Sequence, residues 1–188
     1  MRSRFRVTSE TNTYFITIST HLWVPILFNE TVFQIIVDSL KYGQAHKELR
    51  LHSYVIMPNH LHAIISHDEY NQIPHIVRDF KRHTSQAIKN YLSDLGKFSQ
   101  LFWIKLFHNK ERGQNRIWQE GYHPVGIKSQ TFFDEKLAYI HHNPVKKGFV
   151  EKPEDWKYSS ARNYLLGDDS LIKIDKIEQC VVCRLKSG

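Results

Sequence analysis

The sequence predicts an α+β protein built on an antiparallel sheet with helices packed on one face. Three features carry that expectation: extended runs whose apolar residues alternate, amphipathic helical segments set between them, and a Pro58-Asn59 turn that folds two runs together. Thr11 to Ser19 is rich in β-branched and aromatic residues and reads as the first strand, with Tyr14, Ile16 and Ile18 on one side. Asn29 suits the N-cap of a helix over 30–48, where Val32, Ile35, Ile36 and Leu40 recur at helical spacing. Runs 50–57 and 60–66 pair antiparallel, because only Pro58 and Asn59 separate them. A second amphipathic helix covers 76–95, with Ile76, Phe80, Ala87, Ile88, Tyr91 and Leu95 largely inward, and Gly96 marks its end.

Residues 97–116 are basic and aromatic without a clear period and read as a long surface loop. The segment 116–128 offers a fourth strand. Thr131 with Asp134 suggests a capping box for a short helix ending at Asn143, since Pro144 disfavours helix in the residue before it. The resulting order, β-α-β-β-α-β-α, is that of a ferredoxin-like (RRM-like) sheet, here with a C-terminal helical extension. Residues 1–167 are expected to form this domain and 168–188 a tail, a short strand or helix followed by a disordered end.

Composition narrows the function. The chain of 188 residues is 41% hydrophobic, 13% aromatic and 24% charged, the profile of a folded domain and not of a disordered chain. Its 26 Lys and Arg against 19 Asp and Glu give a net charge of +7 and a pI near 9.4, which favours polyanionic partners and puts nucleic acid first. There is no apolar run of about 18 residues, and Met1-Arg2-Ser3-Arg4-Phe5 lacks a signal-peptide core, so a cytoplasmic location is expected. Cys180 and Cys183 form a lone C-x-x-C with no second pair, and read as two reduced thiols.

His60-Leu61-His62 directly follows the turn. Alternate strand residues share a face, so both imidazoles project together and suit a shared divalent ion; by itself the pattern is weak and more often marks a structural pair. Tyr139 and Asn143 stand four apart, which presents a phenol and an amide oxygen side by side on a helix. That is a phosphoryl-transfer arrangement, in which a tyrosine attacks phosphorus while a metal neutralises charge; alone it also fits a core aromatic and a helix stop. On the second helix Arg78, Arg82, Ser85 and Lys89 form a basic stripe with Lys81 beside it, and Lys105, Arg112 and Arg116 follow in the basic loop. Trp103 and the arm Trp156 to Tyr164 are candidates to stack on unpaired bases, although Trp118 and Trp156 fit a core role as well.

The strings YVIMPNHLHAII (Tyr54 to Ile65), FKRHTSQAI (Phe80 to Ile88), IWQEGYH (Ile117 to His123), YIHHNPVKKGFV (Tyr139 to Val150) and PEDWKYSSARNY (Pro153 to Tyr164) resemble the REP-associated tyrosine transposases in order and spacing. These are insertion-sequence-200-like transposases, single-tyrosine members of the HUH endonucleases. The resemblance runs from about Tyr14 to Tyr164. It implies His60 and His62 as metal ligands, Tyr139 as the catalytic nucleophile and Asn143 as the third ligand, with His142 on the same turn as the alternative. In better-known relatives glutamine stands where this chain has Asn143. The implied activity is DNA transposition chemistry: single-stranded DNA, recognised as a hairpin, is cut and rejoined through a 5′-phosphotyrosine with Mg²⁺ or Mn²⁺, by a monomer or homodimer. The alternative is a domesticated hairpin-binding protein that no longer cleaves.

Overall fold

The computed structural model describes residues 7–94, 108–109 and 114–176. In chain order the elements are β1 (Thr13–Ser19), α1 (Glu30–His46), β2 (Arg50–Met57), β3 (His60–Ser66), α2 (Gln72–Asp94), the two-residue strands β4 (His108–Asn109) and β5 (Gln114–Asn115), β6 (His123–Gly126), α3 (Gln130–Lys146) and α4 (Ala161–Leu165). Short 3-10 turns lie at His21–Trp23 and Pro153–Asp155.

The main sheet is four-stranded and antiparallel, in the order β2-β3-β1-β6. Pro124 lies within β6, which an edge strand tolerates because its missing N–H can face outward. Register fixes the two faces. Ile16, Ile18, Leu61 and Ile65 line one face together with residues of α1 and α2, as the alternation in the sequence requires. Phe15, Thr17, Ser19, His60, His62 and Ile64 share the other. A bulge between Leu51 and Ser53 changes the alternation in β2, so that Ser53 pairs with Ile64 and faces the same side as the histidines.

The expected first helix is present, and Asn29 caps it by accepting a hydrogen bond from Val32 N at 3.0 Å. The second begins earlier than its apolar period suggests, at Gln72. The third departs most: Ser129 caps it, accepting from Phe132 N, and it runs through Pro144 to Lys146. Pro144 sits in the last turn, where a missing N–H removes only one bond, and burial of Asn143 and Pro144 outweighs the local preference against helix.

α1 and α2 pack on one face of the sheet as expected. α3 crosses the opposite face, over β2 and β3, and this puts its residues beside the histidines. The edge of β2 is covered by the chain that follows. Ile56 N donates to Tyr158 O, Ser160 N to Tyr54 O and Asp175 N to Leu51 O, and Ile172 and Ile174 are buried. The edge is thereby closed to pairing with another chain. Among the described residues no helix is long and apolar enough to cross a membrane.

Candidate active site

His60 and His62 leave the central strand β3 on the α3 side, both buried, with ring centroids 4.6 Å apart. Each is held through Nδ1. That of His60 lies 2.7 Å from Asn59 Oδ1, and that of His62 lies 2.8 Å from Thr17 Oγ1 on the neighbouring strand. An amide oxygen only accepts, so the hydrogen-bond network assigns the proton of His60 to Nδ1 and leaves Nε2 with a free lone pair.

Burial lowers the pKa of His60 to about 4, with the nearby Lys147 charge adding to the effect and Asn143 opposing it. Burial and the adjacent His60 lower that of His62 to about 3. Both rings are therefore neutral at pH 7, the form a metal ion requires.

Tyr139 and Asn143 reach the same place from α3. Tyr139 is 44% exposed, its ring centroid 5.3 Å from that of His62 and 6.0 Å from that of Phe15, which itself stacks on His62. Asn143 is buried next to His60. Among the described residues its Oδ1 is the one buried side-chain polar atom without a hydrogen-bond partner. A hydrogen-bond-type approach of Asn143 to His60 raises that ring's pKa slightly against the effect of burial, but no donor meets Oδ1 at full hydrogen-bonding geometry.

A buried carbonyl oxygen left unpaired costs on the order of 1–3 kcal/mol, so its survival beside two neutral imidazoles asks for an explanation. A divalent cation supplies one. Two imidazole nitrogens and an amide oxygen form a mixed donor set with coordination positions left open, so the residues present fit a metal. No third His, Cys, Asp or Glu joins the pair among the described residues, and the buried oxygen beside it is Asn143 Oδ1. His142 is exposed and bonds back to Ala138 O at 3.0 Å, so the alternative third ligand is turned away from the pair.

His141 occupies the other flank of α3. It is buried, its Nε2 3.0 Å from Ser160 Oγ and 3.4 Å from Ser53 Oγ, and its ring packs on Tyr164. Ser160 Oγ also accepts from Tyr54 N. This cluster ties α3, β2 and the start of α4 together.

The sequence signals for Thr17, Asn59 and His141 were slight. Thr17 lies in the alternate set of β1 opposite Tyr14, Ile16 and Ile18, and Asn59 is next to His60 in the turn. Neither reveals a partner until the sheet is assembled.

The cationic residues are less uniform than their spacing suggests. Arg78 and Arg82 are exposed on α2, both drawn to Asp79, on the side of the sheet away from the histidines. Lys89 follows them on the same helix, half-buried. Lys81 is not part of an open stripe: its ammonium donates to Gln119 O at 2.7 Å and to Gly121 O, and burial lowers its pKa to about 8. Arg116 pairs with Glu120 at 3.4 Å. Lys105, Arg112, Trp103, Cys180 and Cys183 lie outside the described residues. Trp118 is core, donating to Thr84 Oγ1, and Trp156 donates to Ile56 O at the covered edge of β2. Tyr158 and Tyr164 are likewise buried, so most of that arm supports the fold.

An open antiparallel sheet with an imidazole pair on its central strand, flanked by a helix bearing a phenol and an unpaired amide oxygen, defines an α+β protein with a polar site set on one sheet face. More particularly, the chain belongs to the IS200-like transposase family, whose description, "Transposase IS200 like", matches residues 14–143. It is 30% identical over 108 residues to a Haemophilus influenzae protein provisionally named REP-associated tyrosine transposase, covering 56% of this chain and 54% of that one. It is 22% identical over 130 residues to the REP-associated tyrosine transposase of Escherichia coli, covering 69% of this chain and 65% of that one. The match thus spans between about half and two thirds of these relatives' lengths. In fold it is similar to a REP-associated tyrosine transposase solved bound to a REP hairpin, with a TM-score of 0.64 at 20% identity, over 94% of this chain and 92% of that chain. The resemblance drawn from the five sequence strings agrees with these relatives.

Proposed function

We propose that this protein is a metal-dependent enzyme that cuts and rejoins single-stranded DNA through a 5′-phosphotyrosine on Tyr139, recognising its substrate as a hairpin. The observation that carries this reading is the convergence of Tyr139 and the unpaired Asn143 Oδ1 on two neutral imidazoles. Family membership and the hairpin bound by the structural relative support it.

His60, His62 and Asn143 would hold a Mg²⁺ or Mn²⁺ ion, which when bound supplies polarisation of a non-bridging phosphate oxygen. Asn59 and Thr17 orient the two rings through Nδ1. Tyr139 Oη forms a bond to phosphorus as the bond from phosphorus to the 3′ oxygen breaks. The phenol gives up a proton and the departing 3′ oxygen takes one up, so the step consumes none. The new phosphodiester conserves the energy of the old one, and attack by another 3′-hydroxyl restores the phenol and joins strands without ATP. Half-exposure of Tyr139 gives a strand access to it. Arg78, Arg82, Lys89 and Arg116, with Lys105 and Arg112, add sequence-independent attraction for phosphates; Lys81, spent on backbone carbonyls, contributes least.

The test is to mix the protein with a labelled pool of single-stranded hairpin DNAs and Mn²⁺ and to resolve the mixture on a denaturing gel. A protein-linked band is expected, lost with Tyr139→Phe and lost in chelator. Hairpin binding without any band would favour a binding protein that no longer cleaves. Cleavage surviving in Tyr139→Phe would remove the tyrosine from the mechanism.

A further inference from the structure

Beside the metal-type site stands a feature that no part of that chemistry uses. The turn His21–Trp23 carries two consecutive non-glycine residues in the left-handed region, Leu22 at φ 53° and Trp23 at φ 58°. Bulky side chains avoid this conformation, and such strain persists only where the surroundings over-determine it. Here they do. Trp23 N donates to Thr20 O and Val24 N to His21 O, while Thr20 Oγ1 lies 2.7 Å from Val24 O and 2.9 Å from Asn59 O and shares its one proton between them. His21 N donates to Ile117 O, which ties the turn to the segment around the Thr20–Trp118 bridge.

The strain gains no burial. Leu22 is 68% exposed and Trp23 52% exposed. The indole instead lies edge-on to His60, with ring centroids 5.8 Å apart. One side chain connects the two: Asn59 Oδ1 receives the proton of His60 Nδ1, and Asn59 Nδ2 donates to Trp23 O at 3.4 Å. The residue that orients the imidazole therefore also holds the backbone that presents the indole.

We infer that Leu22 and Trp23 form a stacking platform for one unpaired nucleobase of the DNA strand, next to the phosphate that enters the His60–His62 site. An exposed, rigidly held indole in a protein of net charge +7 suits a base, whose π-face stacks on aromatic rings with little dependence on sequence. A patch of two side chains is too small for a stable protein partner, which buries about 800 Å² per side. Leucine beside the indole offers the apolar wedge that separates a base from its neighbour, and so favours unpaired over paired DNA. The inference rests on the proposed function, because it needs a DNA strand at that site.

The experiment measures binding by fluorescence anisotropy for two probes of mixed sequence: a blunt hairpin, and the same hairpin with a short single-stranded extension carrying 2-aminopurine at successive positions. For the unaltered protein the extension should tighten binding, and one 2-aminopurine position should be quenched. Trp23→Ala should lose about five- to a hundredfold in affinity for the extended probe alone, and the quenching with it, while Trp23→Phe retains most of both. Leu22→Gly, which relieves the left-handed strain, serves as a second variant: it should melt no lower than the unaltered protein yet bind the extended probe more weakly. Manganese affinity should be the same in all four proteins.

Unchanged affinity and quenching in Trp23→Ala, with the unaltered protein still preferring the extended probe, would overturn the platform and leave the proposed function standing. A change in oligomeric state in place of DNA affinity would make the patch a contact between copies and equally overturn it. An unaltered protein that binds neither probe would overturn the proposed function, and the platform with it.

Discussion

Asn143 shows how one atom separates a structural reading from a functional one. Its spacing from Tyr139 is visible in the chain, but so is the simpler view that it ends a helix before Pro144. What supports the proposed ligand role is that its Oδ1 is buried beside His60 and meets no donor at full hydrogen-bonding geometry, whereas a buried amide oxygen kept for stability ordinarily has one. Asn143→Ala is therefore expected to weaken Mn²⁺ binding by about 10- to 100-fold, the scale of losing a ligand or its close support. In chelator the same variant should melt within about 1 kcal/mol of the unaltered protein, because the orphaned carbonyl is a cost that disappears with it. Calorimetric titration and thermal unfolding check the two halves, and a large loss of stability with intact metal binding would make Asn143 structural. The histidine pair was legible earlier, because alternation in a strand is a local rule. Its orientation by Thr17 and Asn59 was not, since Thr17 is remote in sequence.

At the level of elements the decisive object is α3. Its buried stripe, Phe133, Leu137, Ile140 and Pro144, lies on the sheet, and Tyr139 and Asn143 project along one flank. The other flank is pinned by His141 to Ser160 and Ser53. That pin resists rotation of α3 about its axis, a motion that would carry Tyr139 away from His62. His141→Ala should cost about 2–3 kcal/mol, the usual scale for breaking a buried polar cluster. It should also speed amide exchange in Ala138 to Lys146 relative to β3, which hydrogen exchange with mass spectrometry can resolve. Equal exchange rates would show that the apolar stripe alone holds the helix. The sequence placed this helix but ended it too soon, because the rule about proline is local and the burial of Pro144 against the rest of the fold is not.

For the whole molecule the notable property is the number of imidazoles kept neutral by burial. His60, His62 and His141 have pKa values lowered to about 4, 3 and 3, chiefly by desolvation. In the unfolded chain each lies near about 6.5. Between about pH 6.5 and pH 4 the unfolded chain therefore binds more protons than the folded one, and stability must rise with pH across that window. Lowering the pH from 6.5 should depress the melting temperature, with a slope near pH 5 above about 1.4 kcal/mol per pH unit, the value for a single proton. Pairing of surface carboxylates such as Glu10 and Glu30, whose pKa values are lowered, enters only as the pH approaches their own range. A melting temperature constant from pH 6.5 to 4.5 in chelator would contradict this burial.

By itself the sequence determined the α+β class, the antiparallel β2-β3 hairpin, the cap of α1, the shared face of His60 and His62 and the one-turn spacing of Tyr139 and Asn143. These follow from rules that act within a few residues: alternation in strands, the period of a helix and the chemistry of turns. Only the tertiary structure decided that α3 crosses the sheet face opposite α1 and α2, that His141 anchors it, that Lys81 is spent on carbonyls and that the arm Trp156 to Tyr164 seals an edge. Those outcomes depend on contacts between segments as far apart as Ser53 and Ser160 or Thr17 and His62. Such contacts are set by which surfaces remain to be buried once the local elements have formed, and no window of sequence contains that information.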